Sequence, residues 1–271
     1  MIIEINDDFD LEKIVSSGQC FRAKDIGNGN FRFITESHVV YIQPLGDAKF
    51  SVSCHEEVWN SIWRAYFDLD CDYRSIRTEE SGKHTYTDEA MEYGRGLRIL
   101  RQNAWEMLIT FIISQRKNIP AITKAVEILA SRYGHPIKNV IETVYSFPTA
   151  ADLLMVSVNE LRECGLGYRA PYVYDAVQNI ARHTIDLQAI AKYDDEQLFQ
   201  ALMQICGVGK KVANCVCLFG YGRKSRVPVD VWINRAMQRE FQKIDFQTFF
   251  GDRAGVIQQY VFFYERSRWK K

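Results

Sequence analysis

Nothing in the 271 residues approaches the ~20 consecutive apolar residues that cross a bilayer; the longest apolar runs are a handful of residues. The amino-terminal stretch MIIEINDDFDLEK is acidic, with neither a basic start nor an apolar stretch behind it, so a secretory signal is not expected. The cytoplasm is the default compartment, with association to the nucleoid if the source is prokaryotic. No Cys-x-x-Cys pair occurs, and the seven cysteines, at 20, 54, 71, 164, 206, 215 and 217, are odd in number. That argues against a disulfide framework and a zinc ribbon. No cysteine follows 217, which excludes a four-cysteine iron–sulfur cluster near the carboxyl end, and no metal site is expected. Repeats and low-complexity segments are absent too.

Net charge is also missing: 34 Lys/Arg balance 34 Asp/Glu. The balance hides a segregation. Residues 1–90 carry 9 basic against 17 acidic side chains, a net of −8, and residues 91–271 carry the compensating +8. A basic remainder behind an acidic first third points to a polyanionic partner. What is present is ordinary globular composition, 47% apolar, 25% charged and 13% aromatic. Disordered and rod-like classes are therefore excluded, and the length suits a sizeable core and more than one domain.

The chain reads as two regions, 1–85 and 86–271. In the first, the β-rich runs 19–26 and 31–34 flank a turn cluster, Gly27-Asn-Gly-Asn30, which is a hairpin signal. Val39–Ile42 and Phe50–Cys54 continue the pattern around Pro44 and Gly46. A short helix over 56–67 puts Val58, Ile62, Ala65 and Tyr66 on one side. The second region is helical almost throughout. Thr87 is positioned to cap a helix opening Asp-Glu. The stretch from Asn103 to Ile113 is apolar nearly all round, as a buried central helix requires. Pro120 lies in the first turn of the next helix, where a missing N–H costs nothing. Ser157 and Glu160 form a capping box, Gly165 stops that helix, and Asp194 caps another.

Chemistry concentrates in 198–240. Helical apolar spacing runs up to Gly207-Val-Gly209 and resumes after Lys210-Lys211, giving helix, hairpin, helix. The glycines permit positive φ and close backbone approach, and the second helix opens with free N–H groups suited to a phosphate. A P-loop would need Ser or Thr after Gly-Lys, and a Rossmann fingerprint would need a preceding strand; neither condition is met. A plain turn between packed helices remains open on spacing alone. Lys211 sharpens the reading. A cation in the first helical turn opposes the helix dipole, so stability alone would not select it. A neighbouring cation and partial burial both favour the neutral amine, which is a nucleophile. Cys215, one turn on, shares its face, whereas Cys217 points elsewhere. Two solvated lysines gripping phosphate are the alternative. Val227-Pro-Val-Asp230 then leads into a further helix. Asp230 is either a plain cap or a carboxylate that steadies a cationic transition state.

Helix, Gly-Val-Gly-Lys-Lys211, helix, then Val-Pro-Val-Asp230 resembles the helix–hairpin–helix DNA glycosylase superfamily, and within it the 8-oxoguanine DNA glycosylase branch. Ser17-Gly-Gln-Cys-Phe-Arg22 is similar to that branch's early Ser-Gly-Gln-x-Phe-Arg element. Leu97–Gln102, Ser114–Ile119, Gly165–Ala170 and Ala254–Gln258 match further segments in order, so the resemblance spans essentially the whole chain. It implies that Lys211 attacks the sugar C1′ and forms a Schiff base, with Asp230 activating it and stabilising the oxocarbenium charge. It implies that the Gly18 carbonyl reads the N7 hydrogen of 8-oxoguanine, that Gln258 binds the base's pairing edge, and that Cys215 and Phe262 sandwich the ring. Tyr168 would wedge into the duplex and Arg169 would contact the orphaned base. Gly207, Gly209 and Lys210 would meet the backbone phosphate, with a monovalent cation at the hairpin.

There are departures. Arg116 and Lys117, before Asn118, stand where better-known members carry paired asparagines that contact the orphaned base. Ala121 replaces an arginine, and Trp232 replaces a histidine. They speak against a strict requirement for cytosine opposite the lesion. Extrusion of the base, filling of the gap and a placed acceptor are what such chemistry needs.

The resemblance implies an α+β fold: an N-terminal antiparallel sheet of TATA-binding-protein-like type over 1–85, then an all-α helix–hairpin–helix glycosylase domain over 86–271. The function expected is bifunctional excision of 8-oxoguanine from duplex DNA, in which imine formation is followed by β-elimination. No cofactor is required, and the enzyme is expected to be a monomer. A monofunctional alkyl-base glycosylase and a non-catalytic helix–hairpin–helix DNA-binding protein are the rival readings.

Overall fold

The computed structural model describes residues 1–139, 141–242 and 244–268. It is an α+β structure. Five strands, β1 (Ile2–Glu4), β2 (Lys24–Gly27), β3 (Asn30–Thr35), β4 (His38–Gly46) and β5 (Lys49–Val52), form one sheet in the order β1-β5-β4-β3-β2. β1 and β4 flank β5 antiparallel, and β2 pairs antiparallel with β3. The β2–β3 turn falls at the expected cluster: Gly27, Asn28 and Gly29 all have positive φ, and a bulge lies between Asp25 and Gly27. The helices that matter below are α1 (Leu11–Ser16), α2 (Ala104–Ser114), α3 (Ile119–Tyr133), α4 (Ala170–Ala181), α5 (Asp195–Met203), α6 (Lys210–Tyr221), α7 (Val231–Glu240) and α8 (Ala254–Arg268).

Two compact units interleave along the chain. One comprises residues 1–32, 40–101 and 222–271; the other comprises 33–39 and 102–221. The second is built on α2, whose residues from Met107 to Ile113 are all buried, as its apolar circumference requires. Asn103 caps it by accepting from Glu106 N at 3.0 Å. α6 packs against it, with Phe111 and Phe219 stacked at 5.6 Å and Gly220 so close that a Cβ there would meet Ala104 Cα at 3.1 Å. Asn118 caps α3 with Pro120 in its first turn, and Ser157 and Glu160 form the expected reciprocal box.

The first unit is held by a buried polar network. Arg98, fully buried, donates to the carbonyls of Phe67, Asp8, Asp68 and Cys71 and pairs with Asp7 at 2.8 Å. Asp68 receives Lys224, Arg101 and the Tyr73 hydroxyl.

Two local expectations are corrected. Thr87 does not cap its helix. That helix, Thr85–Tyr93, starts earlier and is capped by His84, whose ring nitrogen accepts from Tyr86 N; Thr87 lies inside and donates to the His84 carbonyl. The helical stretch 56–66 buries Tyr66 as expected, but Trp59 and Trp63 are buried in place of Val58 and Ile62, which are half-buried, and Ala65, which is exposed. Both stripes have helical spacing, and the larger aromatic area takes the core.

Candidate active site

The unit containing residues 102–221 holds the hairpin and the lysine. α5, capped by Asp194, ends at Met203; Gly207 follows at φ +78, and α6 opens at Lys210. Gly207 is required sterically as well as conformationally, since a Cβ there would sit 2.4 Å from Tyr172 Cγ. A Cβ on Gly209 would meet nothing within 4 Å, so this second glycine presents open backbone, and Lys210 beside it is exposed. The hairpin carbonyls each accept one bond: Ile205 from Val208 N, Gly207 from Gln115 Nε2 and Gly209 from Ala213 N, each at 3.0 Å. Each keeps a second lone pair, which is what a monovalent cation would use.

Lys211 does not extend into solvent. It is half-buried and turns back onto α2, with Nζ 4.9 Å from the Phe111 ring centroid and donating to Ser114 Oγ at 3.4 Å. Cys215, one turn further along α6, is buried on the same face, and Cys217 is buried as well.

Two loops of this unit are stapled reciprocally. Arg169 is buried and donates from Nε and a terminal nitrogen to the Gln115 carbonyl. In the opposite direction, Lys117 Nζ donates to the Gly165 carbonyl. Burial, followed by the Arg169 charge, pushes the Lys117 pKa down. Arg169 therefore spends its donors on backbone, with its guanidinium 4.3 Å from the Tyr168 ring centroid. Tyr168 itself is 52% exposed. Arg116 is exposed at φ +51, and Asn118 uses its side chain as a cap on Ala121 N. Of the cations assigned to the orphaned base, Arg116 alone has its side chain outside this staple.

Of the residues expected to meet the base, Gly18, Gln258 and Phe262 lie in the other unit, whereas Cys215 lies in the unit just described. Gly18 follows α1 at φ +81, in the left-handed region that favours glycine. Its neighbours fix it: Ser17 is fully buried and donates to the Ile14 carbonyl, and Gln19 Nε2 donates to Ser17 Oγ and the Arg98 carbonyl. Gln259 of α8 donates to the Ser17 carbonyl at 3.2 Å. Gln258, beside it, is 3% exposed, and its Oε1 is buried without a hydrogen-bond partner among the described residues. A buried amide oxygen left bare costs stability, and such an atom points to a donor supplied by a ligand. Phe262, one turn on, is half-buried. Asp230 caps α7 by accepting from Ile233 N at 2.9 Å and is half-buried.

Sequence reasoning missed one residue here. Arg266, a turn beyond Phe262, lies with its guanidinium carbon 5.3 Å from that ring's centroid and donates to the Ser16 carbonyl at 3.1 Å. Its signal was only helical spacing from Phe262. Among the described residues, no group of three or more His, Cys, Asp or Glu side chains is placed to hold a metal ion, and no helix is long and apolar enough to cross a membrane.

Residues 1–108 match the family described as 8-oxoguanine DNA glycosylase, N-terminal domain, and residues 109–247 match the HhH-GPD superfamily base excision DNA repair protein family. An N-glycosylase/DNA lyase of Saccharomyces cerevisiae is 40% identical over 162 residues, covering 55% of this chain and 43% of the yeast protein. The chain thus spans less than half the length of that relative. A probable N-glycosylase/DNA lyase of Methanothermobacter thermautotrophicus is 28% identical over 96% of this chain and 94% of its own. A solved structure of the Clostridium acetobutylicum 8-oxoguanine glycosylase/lyase, in complex with double-stranded DNA containing cytosine opposite 8-oxoguanine, superposes with a TM-score of 0.93. It is 32% identical and covers 99% of this chain and 98% of that one. The paired matches, contiguous from residue 1 to 247, and the helix–hairpin–helix whose second helix carries Lys211 in its first turn place the chain in the HhH-GPD superfamily of base excision DNA repair proteins, with the N-terminal domain of the 8-oxoguanine DNA glycosylases.

Proposed function

We propose that the chain is a bifunctional DNA glycosylase and lyase that excises 8-oxoguanine from duplex DNA. The observation that carries the reading is Lys211. A lysine in the first turn of the hairpin's second helix is held inward, against Phe111 and Ser114, rather than spread into solvent. An inward, half-buried amine supports the nucleophile reading over that of a side chain gripping phosphate through water.

The Lys211 amine attacks C1′ of the damaged nucleotide as the N-glycosidic bond breaks, and the bonding pair leaves with the base. Asp230 supplies the carboxylate that steadies the positive charge developing on the sugar. Loss of the amine proton and ring opening give the imine at C1′. A C2′ proton then departs and the 3′-phosphate leaves, cutting the strand on the 3′ side. The extruded base meets the Gly18 carbonyl, which accepts the N7 hydrogen that guanine lacks, and the bare Gln258 oxygen. Cys215 and Phe262 offer it apolar surface. Tyr168 fills the gap in the stack, and the Gly207–Lys210 backbone receives phosphate. None of these steps uses a cofactor. The substrate would keep the enzyme with the chromosome, at the nucleoid in the cytoplasm if the source is prokaryotic.

Borohydride trapping on an 8-oxoguanine duplex tests the reading. Wild type is expected to yield a covalent protein–DNA adduct and Lys211→Gln none. No adduct with wild type, or one undiminished in Lys211→Gln, would reject the mechanism. Base release without an adduct would identify a monofunctional enzyme.

A further inference from the structure

Gln259, Phe262 and Arg266 recur along α8 at the helical spacing of one face, so they address one neighbouring surface. The contacts identify that surface as the last residue of α1 and the start of the loop to β2. Gln259 Nε2 donates to the Ser17 carbonyl at 3.2 Å, and two turns along, Arg266 donates to the Ser16 carbonyl at 3.1 Å. These carbonyls immediately precede Gly18. The same guanidinium lies 5.3 Å from the centroid of the Phe262 ring. A planar cation over an aromatic face restrains the ring as well as its own fork.

The placement is costly for a purely structural arginine. Burial works against the charged form of Arg266, and only the more distant Asp230 charge opposes that. Among the described residues no carboxylate lies within 4.0 Å of it. Compare Arg239 on α7, which pairs directly with buried Glu265 at 2.6 Å. Arg266 gives up such a partner and holds a backbone carbonyl and a ring.

We propose that Arg266 is a positioning residue for recognition of the damaged base: by bridging the Ser16 carbonyl and the Phe262 ring it fixes, together with Gln259, the loop that presents Gly18 and the surface the base lies against. The inference rests on the 8-oxoguanine reading above. Discriminating the lesion from guanine by one N–H demands an acceptor fixed to a fraction of an ångström, and a glycine carbonyl in a short loop has no side chain of its own to fix it.

The test compares two activities of the full chain under single turnover: excision of 8-oxoguanine, and β-elimination at a preformed abasic site, which presents no base. Arg266→Gln is expected to lower the ratio of the first rate to the second at least tenfold and to raise the substrate concentration for half-maximal excision. Arg266→Lys, which keeps a donor and a cation, is expected to recover part of that ratio. An unchanged ratio in Arg266→Gln, whether both rates fall together or neither moves, would overturn the inference. Wild type that cleaves abasic sites but leaves 8-oxoguanine untouched would instead overturn the underlying reading, and this inference with it.

Discussion

Lys211 Nζ donates to the hydroxyl of Ser114 at 3.4 Å, while that hydroxyl gives its own proton to the Phe111 carbonyl at 2.8 Å. The serine oxygen therefore faces the lysine as an acceptor only, at the last turn of α2. The bond is long, and its worth lies in aiming Nζ. Ser114→Ala removes it and leaves the Phe111 ring in place. A hydrogen bond of about 1 kcal/mol corresponds to roughly a fivefold change in rate. Adduct formation under single turnover is expected to slow by that order, with the thermal midpoint little changed. An unaltered rate would show that Phe111 alone orients the lysine.

Gln258 carries a buried acceptor that none of the described residues satisfies. Leaving a buried polar atom bare costs about 1–3 kcal/mol, so an apolar residue of similar size should be better tolerated by the fold. Gln258→Leu is expected to raise the unfolding free energy by about 1 kcal/mol and to reduce 8-oxoguanine excision at least tenfold. Denaturant titration and single-turnover assays read the two effects. A loss of stability would mean that the amide has a structural task.

What the sequence made legible was local. Ser157, Asp194 and Asp230 cap the helices they precede because a cap and its target lie within four residues of each other. The hairpin was legible for the same reason. What escaped depends on distant partners. Arg169 looks like a surface cation until the Gln115 carbonyl, 54 residues away, is seen to hold it. Arg266 acquires meaning only through Ser16, 250 residues earlier in the chain. His84 was overlooked in favour of Thr87 because an imidazole rarely serves as a helix cap. Trp59 and Trp63 competed with Val58 and Ile62 at the same period, and periodicity cannot rank the two pairs.

The two hairpin glycines should respond differently to alanine. At Gly207 a methyl group meets the Tyr172 ring at 2.4 Å in a positive-φ backbone, so steric overlap and strain combine. Gly207→Ala is expected to cost about 2 kcal/mol or more of stability. At Gly209 the methyl group meets nothing. Gly209→Ala is expected to leave stability within about 0.5 kcal/mol and to weaken duplex binding, because the methyl occupies space a phosphate would use. Thermal melts and fluorescence anisotropy with undamaged duplex separate the two. Equal loss of stability in both variants would show that the loop, and not the Tyr172 contact, sets the requirement.

The Asp7 carboxylate ties acid sensitivity to the scaffold under the Gly18 loop. Burial raises its pKa, but the backbone N–H of Tyr73, the Arg98 guanidinium and the backbone N–H of Asp8 together lower it below the ordinary aspartate value. A carboxyl depressed on folding stabilises the native state above its unfolded pKa of about 3.9, and that stabilisation is lost as pH falls through the folded value. Arg98, which donates to the carbonyls of Phe67, Asp8, Asp68 and Cys71, would then keep its carbonyl partners but lose the carboxylate that balances its charge. Asp7→Asn is expected to be less stable than wild type at pH 7. Its unfolding free energy should also fall less steeply below about pH 4, where wild type alone has this carboxylate to protonate. Denaturant midpoints between pH 3 and 7 read both. Parallel curves would show that Asp7 is not what links the fold to acid.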